Sequence, residues 1–510
     1  MANTTPWCLP PELLCSIFLL LDDRDRFDAS NVCRYWRNVS LSYPATLWST
    51  IMTWSRVQGA FRAHLERARD APELSVCIYS QALCRIVDSI RELSSHMPRV
   101  RHLAIVVTPS QPPWSTNAVT DALAYHDASS TAAEALCALS APALETLILL
   151  GRNAEHISIQ GGFFRGSAPN LRALHVYGSF RLTPEACHSI IGVVILVLSV
   201  QESRVLVTAE CIAALPHLRH LHVTIVREPH GDIPAYTLPS FTSALHSLSL
   251  EGNARVPAFA RQFSLRAVRS LCLDYQPGVF DDIARSYDMT SVNISIVDSK
   301  VMSFKWDIEM RMRDGASVLV TALPVEAIPA HILSSAKELT LFESCLLADQ
   351  VFPPITSVER LIIVLGFTSE PIQRRAQVFE IARAPNFFSD YPCTQIFYCP
   401  SLSELVVEAR LDLRKLIPMR GRILVRPKVS TTQLSFCLKT GFYCSNRSCS
   451  WPSTVVFRGV DLIKDEMQKE LFNVVKVVEE DLAEHESGGA TRYDATSYFP
   501  LWNETRRWIL

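Results

Sequence analysis

The chain has 510 residues, 48% of them hydrophobic and 20% charged, with a formal net charge of −2. That composition excludes a largely disordered chain and leaves no basic field of the kind that neutralises nucleic-acid phosphates. It also requires more than one small core, arranged as several modules or as one extended array.

The first fifty residues read as two or three short helices. Leu13, Leu14, Ile17, Phe18 and Leu21 recur at helical spacing behind Pro10 and Pro11, prolines that a first helical turn tolerates because its N–H groups lack intrahelical acceptors. Asp22-Asp23-Arg24-Asp25 forms a polar corner, and Ala29, Val32, Cys33, Trp36 and Val39 make a second stripe. Pro44 stops it, and Leu47, Trp48 and Ile51 add a further apolar cluster. A unit this small leaves apolar faces that seek a partner.

Leu9-Pro10-Pro11-Glu12-Leu13-Leu14, Ile17-Phe18, Leu21, Val32-Cys33-Arg34-x-Trp36-Arg37 and Leu47-Trp48 together resemble the F-box, closest to the F-box-like proteins of mushroom-forming fungi. Phe27 stands where that family commonly has leucine. The resemblance implies a substrate receptor of a Skp–cullin–F-box ubiquitin ligase, docked on the linker protein Skp by helix-in-groove recognition. It implies Skp contacts at Leu9, Pro10, Leu13, Leu14, Ile17, Phe18 and Leu21, supported or extended by Val32, Cys33 and Trp36. The alternative is that these residues are the ordinary core of an N-terminal helical domain.

Periodicity then predicts a helix over Trp54–Ala68, a strand over Leu74–Ile78 and a helix over Ala82–Met97 closed by Pro98. From there one phrase recurs, apolar-x-x-Leu-x-apolar. It occurs from Val100, Leu144, Leu171, Leu218, Leu245, Val268, Ala336, Val358 and Leu402, and in weaker form from Val193 and Met289. Starts about 21–27 residues apart, or near twice that where a copy is missing or degenerate, match the roughly 20–29-residue period of leucine-rich repeats. Each phrase predicts a short strand whose neighbours must stack to close a core. Pro142, Pro169, Pro216 and Pro400 introduce several copies. The usual asparagine after the strand is mostly absent, which predicts irregular repeats. The run Ile190–Val200 is too short to cross a bilayer of about 20 helical residues and predicts a buried strand. Thr108–Ala133 and Glu370–Pro400 read as loops.

Past Arg420 the period is lost. Strands are predicted at Gly421–Arg426 and Gln433–Leu438, and a capping helix over Lys464–Glu484. The aromatic tail from Ser497 to Leu510 either packs back on the array or forms a contact patch. No phosphate-binding glycine loop, nucleophile elbow or His-Glu-x-x-His motif occurs. Cys437, Cys444 and Cys449, with Cys393 and Cys399, lack a Cys-x-x-Cys knuckle. His175, His220, His222 and His246 read as solvent-facing strand histidines, with a catalytic or metal cluster as the alternative.

Fifteen scattered cysteines and the lack of a basic-then-apolar leader predict a reducing compartment, cytoplasmic or nuclear. The sequons at Asn3, Asn38, Asn293, Asn446 and Asn503 are then silent. The expected fold is α/β, a small helical F-box (1–51), linker helices and a first strand (52–98), an irregular leucine-rich-repeat solenoid (99–420) and a capping region (421–510). The expected function is a non-enzymatic adaptor. It needs no catalytic residue, cofactor, metal, membrane or nucleic acid, and it joins Skp, and through it a cullin, to a target protein. The alternative is a leucine-rich scaffold outside any ligase.

Overall fold

The computed structural model describes residues 9–21, 23–53, 59–80, 83–107, 131–151, 157–159, 162–178, 180–201, 204–226, 245–252, 263, 265, 268–274, 289–298, 305–313, 315–324, 330–342, 355–366, 368–371, 399–410, 422–425, 428–432, 434, 452–463 and 476–480. The chain divides into two compact units, residues 1–267 with 493–510, and residues 268–492.

The first unit opens with α1 (Pro11–Leu19), α2 (Asp23–Ala29), α3 (Arg34–Ser42) and α4 (Pro44–Leu47). Pro11 and Pro44 each occupy a first helical turn, where their missing N–H costs nothing. The chain passes straight from α4 into β1 (Thr50–Thr53), which pairs in parallel with β2 (Leu74–Ser80). Between them lies α5 (Ala60–Arg67), shorter than the periodicity predicts, because Gly59 at φ 87° sets its start. Residues 54–58 lie outside the described residues. After β2 come α6 (Leu83–Leu93) and a 3₁₀ stretch over Ser94–Arg99. That stretch replaces the predicted last α-turns, since Pro98 disfavours the α conformation in the residue before it.

Next in the chain are the strands β3 (Val100–Val107), β4 (Thr146–Gly151), β5 (Ile157–Ile159), β6 (Ala173–Gly178), β7 (Phe180–Leu182), β8 (Ile195–Gln201), β9 (His220–Val226) and β10 (Ser247–Gly252). Among them stand helix α7 (131–138), α8 (Pro184–His188) and α9 (Val205–Ala213). The last three residues of the predicted loop, 131–133, belong to α7 instead, and residues 108–130 lie outside the described residues. The pairing β1-β2-β3-β4-β6-β8-β9-β10 is parallel throughout.

Register shows why the phrase recurs. Its leucine aligns from strand to strand as Ile51, Val76, Leu103, Leu147, Leu174, Leu196, Leu221 and Leu248, all buried. The phrase's second and third N–H groups both donate to the carbonyl of the previous copy's second residue. Arg172 and Ala173 donate to Glu145, Val194 and Ile195 to Arg172, Arg219 and His220 to Val194, and His246 and Ser247 to Arg219, at 2.7–3.1 Å. The weak copy at Val193 obeys this rule, so it is a full member of the array. The introducing prolines stand inside β-turns: Leu144, Leu171 and Leu218 donate to the carbonyls of Ala141, Ala168 and Leu215. Proline thus takes the second turn position, where its fixed φ fits.

The second unit contains β11 (Ser270–Asp274), β12 (Met289–Asp298), β13 (Lys305–Met312), β14 (Ser317–Pro324), α10 (Ala330–Ser335), β15 (Glu338–Phe342), β16 (Arg360–Gly366), β17 (Thr368–Pro371), β18 (Glu404–Arg410), β19 (Arg422–Val425), β20 (Lys428–Ser430), β21 (Thr454–Arg458), β22 (Asp461–Ile463) and β23 (Lys476–Glu480). Its sheet is mixed. β12-β15-β16-β18-β21-β23 is parallel, whereas β13 pairs antiparallel with both β12 and β14. The β13–β14 hairpin turns at Gly315, φ 84°, beside an Asp314-Gly315 dipeptide typical of hairpin turns. Residues 476–480 are a strand where a capping helix is predicted. Val477 and Val478 are β-branched, and their pairing with Val455 and Val456 outweighs the helical periodicity around them. The rest of 464–484, most of 433–438 and the tail lie outside the described residues, as do Cys393, Cys437, Cys444 and Cys449. No described helix is long and apolar enough to cross a membrane.

Candidate partner-binding site

Two apolar stripes run along α1, and packing tells them apart. Leu14 and Phe18 are fully buried, with Cys15 beside them. On the other side Leu9, just before the helix, is followed by Leu13, Ile17 and Leu20, which at intervals of four and three residues share one helical face. They are exposed by 44%, 54%, 40% and 86%. Val32, just before α3, is 67% exposed. Large apolar side chains grouped on an exposed helical face mark a protein-binding surface.

Polar contacts hold that face rigid. Arg26 of α2 spreads its guanidinium over three carbonyl oxygens: Phe18 at 3.0 Å, Leu21 at 2.9 Å and Leu47 at 2.8 Å. It thereby ties the C-terminal end of α1 to α4. Tyr35 donates its hydroxyl to the Leu9 carbonyl at 2.5 Å, which fixes the Leu-Pro entry against α3. Trp36 stands edge-on to Phe18 at 5.6 Å. The Trp36 N–H donates to the Cys33 thiol, so Cys33 caps α3. The buried Trp48 donates its indole N–H to the Ser40 carbonyl at 2.9 Å.

The helical unit is docked on α5. His64 of that helix meets the Phe27 ring edge-on at 4.8 Å and stacks on Trp48 at 6.0 Å. The Arg67 guanidinium lies 3.7 Å from the Phe27 ring centre, a cation–π contact, and also donates to Asn31 Oδ1. Burial, with Arg67 and Arg26 nearby, lowers the His64 pKa to about 4, so its ring is neutral at pH 7. Arg99 closes the far end of α5 by donating to the carbonyls of Ala68, Arg69 and Ala71. The exposed stripe is therefore fixed in orientation relative to β1 and β2.

Of the ten residues singled out from sequence, Leu9, Pro10, Leu13, Ile17, Val32 and Cys33 are exposed, and Leu21 and Trp36 are half-buried. Leu14 and Phe18 are not on the surface. They form the core that the α1 helix buries against α3 and α4. Sequence reading missed Leu20, although its spacing from Leu13 and Ile17 places it on their face. Arg26 and His64 carried no short-range signal, because their partners lie across helix junctions.

The histidines do not form a metal site: among the described residues no cluster of three potential ligands occurs. His175 is buried, not solvent-facing, and its pKa falls to about 4 through burial and the nearby His222. His220 and His222 are half-buried and hydrogen-bond with Ser247 at 2.8 Å and Thr224 at 3.1 Å.

No curated protein matches the chain. A family model described as F-box-like matches residues 6–53. This span holds the exposed stripe, the Arg26 clamp and β1, and it is an F-box-like domain.

Proposed function

We propose that the chain is the substrate-recognition adaptor of a Skp–cullin–F-box ubiquitin ligase. The observation that carries this reading is the exposed stripe Leu9, Leu13, Ile17 and Leu20, with Val32, inside an F-box-like domain. F-box domains generally bind Skp-type partners, and an apolar helical face laid in a groove supplies affinity by burial. Burying the exposed half of Leu13 or Ile17 contributes about 1 kcal/mol each before ordering costs. Beyond the F-box, the array is a degenerate leucine-rich-repeat solenoid that binds the target protein, and the affiliation is with the fungal F-box-like proteins. The aligned leucine ladder and the repeated two-donor turns support that assignment.

The adaptor performs no chemistry of its own. It works by proximity, holding a target lysine near a ubiquitin-charged enzyme and so raising effective concentration. A stripe held rigidly to the first strands serves that role, because tethering strength depends on fixed geometry. The work is done in the cytoplasm or nucleus. The test is co-purification of the full chain with the Skp protein of its host, and then addition of cullin. A stable ternary complex supports the adaptor. A well-folded chain that recruits neither protein makes it a free-standing leucine-rich scaffold.

A further inference from the structure

The turns that open the phrases form a second ladder, one residue per strand at the entrance of the sheet. In the first unit its members are Arg101, Glu145, Arg172, Val194, Arg219 and His246, the second residue of each phrase. At the start of the ladder charge is balanced, because Arg101 pairs with Glu73 and with Glu145, the latter at 3.1 Å. The phrases of the second unit are balanced too. There Lys337 meets Glu359 at 2.5 Å, and Arg360 lies between Glu338 at 3.1 Å and Glu404 at 2.9 Å. Opposite charges facing each other across strands stabilise a sheet, and like charges destabilise it. From Arg172 to His246 that balance lapses. Glu145 is committed to Arg101, Val194 is uncharged, and a histidine follows Arg219.

The unbalanced stretch is also concave. Arg172, Val194, His217 and Arg219 line a hollow of about 320 Å³, at the small end of the roughly 300–1,000 Å³ range of ligand sites. Arg172, His217 and Arg219 are exposed, and Val194 is half-buried. The turn hydrogen bonds set the spacing. Val194 donates to the Arg172 carbonyl and Arg219 to the Val194 carbonyl, so the arginines stand two strand spacings apart, roughly 9–10 Å. The short valine between them leaves the space open. Arg172 spends one N–H on the Gly192 carbonyl at 3.0 Å. Arg219 has no hydrogen bond or ion pair among the described residues. We propose that this hollow binds a phosphate monoester, gripped from either side by the Arg172 and Arg219 forks, with the His217 ring adding an N–H donor. A phosphate monoester carries about −1.5 to −2 at pH 7, which offsets both guanidinium groups, whereas a carboxylate offsets one. Planar forks also match its oxygens in pairs. A nucleic-acid backbone would need a longer basic run than this one, which Glu145 borders. The inference stands apart from the adaptor reading, since none of these residues belongs to the F-box-like span 6–53.

The test titrates the full chain by calorimetry at about pH 7.5, where the phosphate is dianionic. The probes are phenyl phosphate and a short neutral peptide carrying one phosphoserine, with the same peptide bearing glutamate in that place as the control. Saturable binding of a phosphate probe is expected, with the glutamate peptide at least about tenfold weaker. Arg172→Gln/Arg219→Gln should weaken phosphate binding at least about 30-fold, and Arg219→Gln alone at least about fivefold. Arg62→Gln/Arg91→Gln, exposed arginines of α5 and α6, should stay within about twofold of wild type. A phosphopeptide bound more than about threefold tighter than phenyl phosphate identifies a phosphorylated side chain as the source of the group; otherwise the source is a small phosphate ester. Amide exchange in β6, β8 and β9 reports whether the double variant keeps its fold, and where it does not, Arg219→Gln decides. The proposal is overturned if neither phosphate probe saturates up to about 10 mM. It is overturned as well if the glutamate peptide binds equally, or if the arginine variants bind like wild type. No readout depends on Skp binding.

Discussion

Arg26→Ala removes the group that holds the end of α1 to α4. Its guanidinium donates to the carbonyls of Phe18, Leu21 and Leu47 at 2.8–3.0 Å, and it is half-buried. Hydrogen bonds to a charged donor contribute about 1.5–3 kcal/mol each, but they are not additive and a half-exposed carbonyl recovers water. A loss of about 2–4 kcal/mol for the helical unit is therefore expected. The loss is local, so amide exchange over residues 11–47 is the assay, and it should quicken by about 30-fold to 1,000-fold. Arg26→Lys, a point charge without a planar fork, should fall between the two. A second readout comes from His64. Arg26 is one cause of its lowered pKa, so Arg26→Ala should raise that pKa. Exchange within about threefold of wild type, with the His64 pKa unmoved, would refute the clamp.

His64 has a folded pKa of about 4, below its ordinary 6.5. Its contribution is present above pH 6.5 and is lost as pH falls toward 4. The loss is on the order of 3 kcal/mol, and exchange in α2 and α5 against pH should show it. His64→Phe, which keeps an aromatic ring there, should flatten that dependence. Gly178 has φ 69°, and a Cβ on it would sit 1.8 Å from the Gly151 carbonyl oxygen. Gly178→Ala should cost at least about 3 kcal/mol in urea unfolding of the first unit, since strain and clash add. Gly252 repeats the arrangement against Ile225, with φ 132° and 2.2 Å, so Gly252→Ala should behave alike. Leu174→Ala opens a hole in the ladder and should cost about 2.5–5 kcal/mol by the same measurement; a cost under about 1 kcal/mol would mean that the ladder is not packed.

The leucine phrases made the strands legible, because their alternating apolar residues bounded by turn signals are the pattern of a buried strand. The prolines before them marked strand entrances, and the structure places Pro142, Pro169 and Pro216 inside β-turns there. Which stripe of α1 faces inward was not. Leu13–Ile17–Leu20 and Leu14–Phe18 are equally apolar, and only packing against α3 and α4 separates them. His175 looked solvent-facing because a polar residue at an alternating position normally is. It is buried because its side of the sheet is covered there, a fact no local window contains. The β13–β14 hairpin interrupts the parallel order through a pairing that the phrase does not encode. Over residues 476–480 the predicted helix is replaced by a strand paired with Thr454–Arg458, some twenty positions away.

The exposed stripe is tested most directly by titrating purified Skp protein against three full-length chains: wild type, Leu13→Asp/Ile17→Asp, and Ile191→Asp/Val226→Asp. Ile191 and Val226 are also exposed apolar residues, 52% and 48%, but lie outside the F-box-like domain. Two carboxylates forced into an apolar groove should weaken binding by at least about 100-fold. Exchange in α1–α4 should stay unchanged, because neither side chain is in the core, and the distal pair should bind within about threefold of wild type. Equal binding by all three chains, or loss with the distal pair alone, would contradict the account.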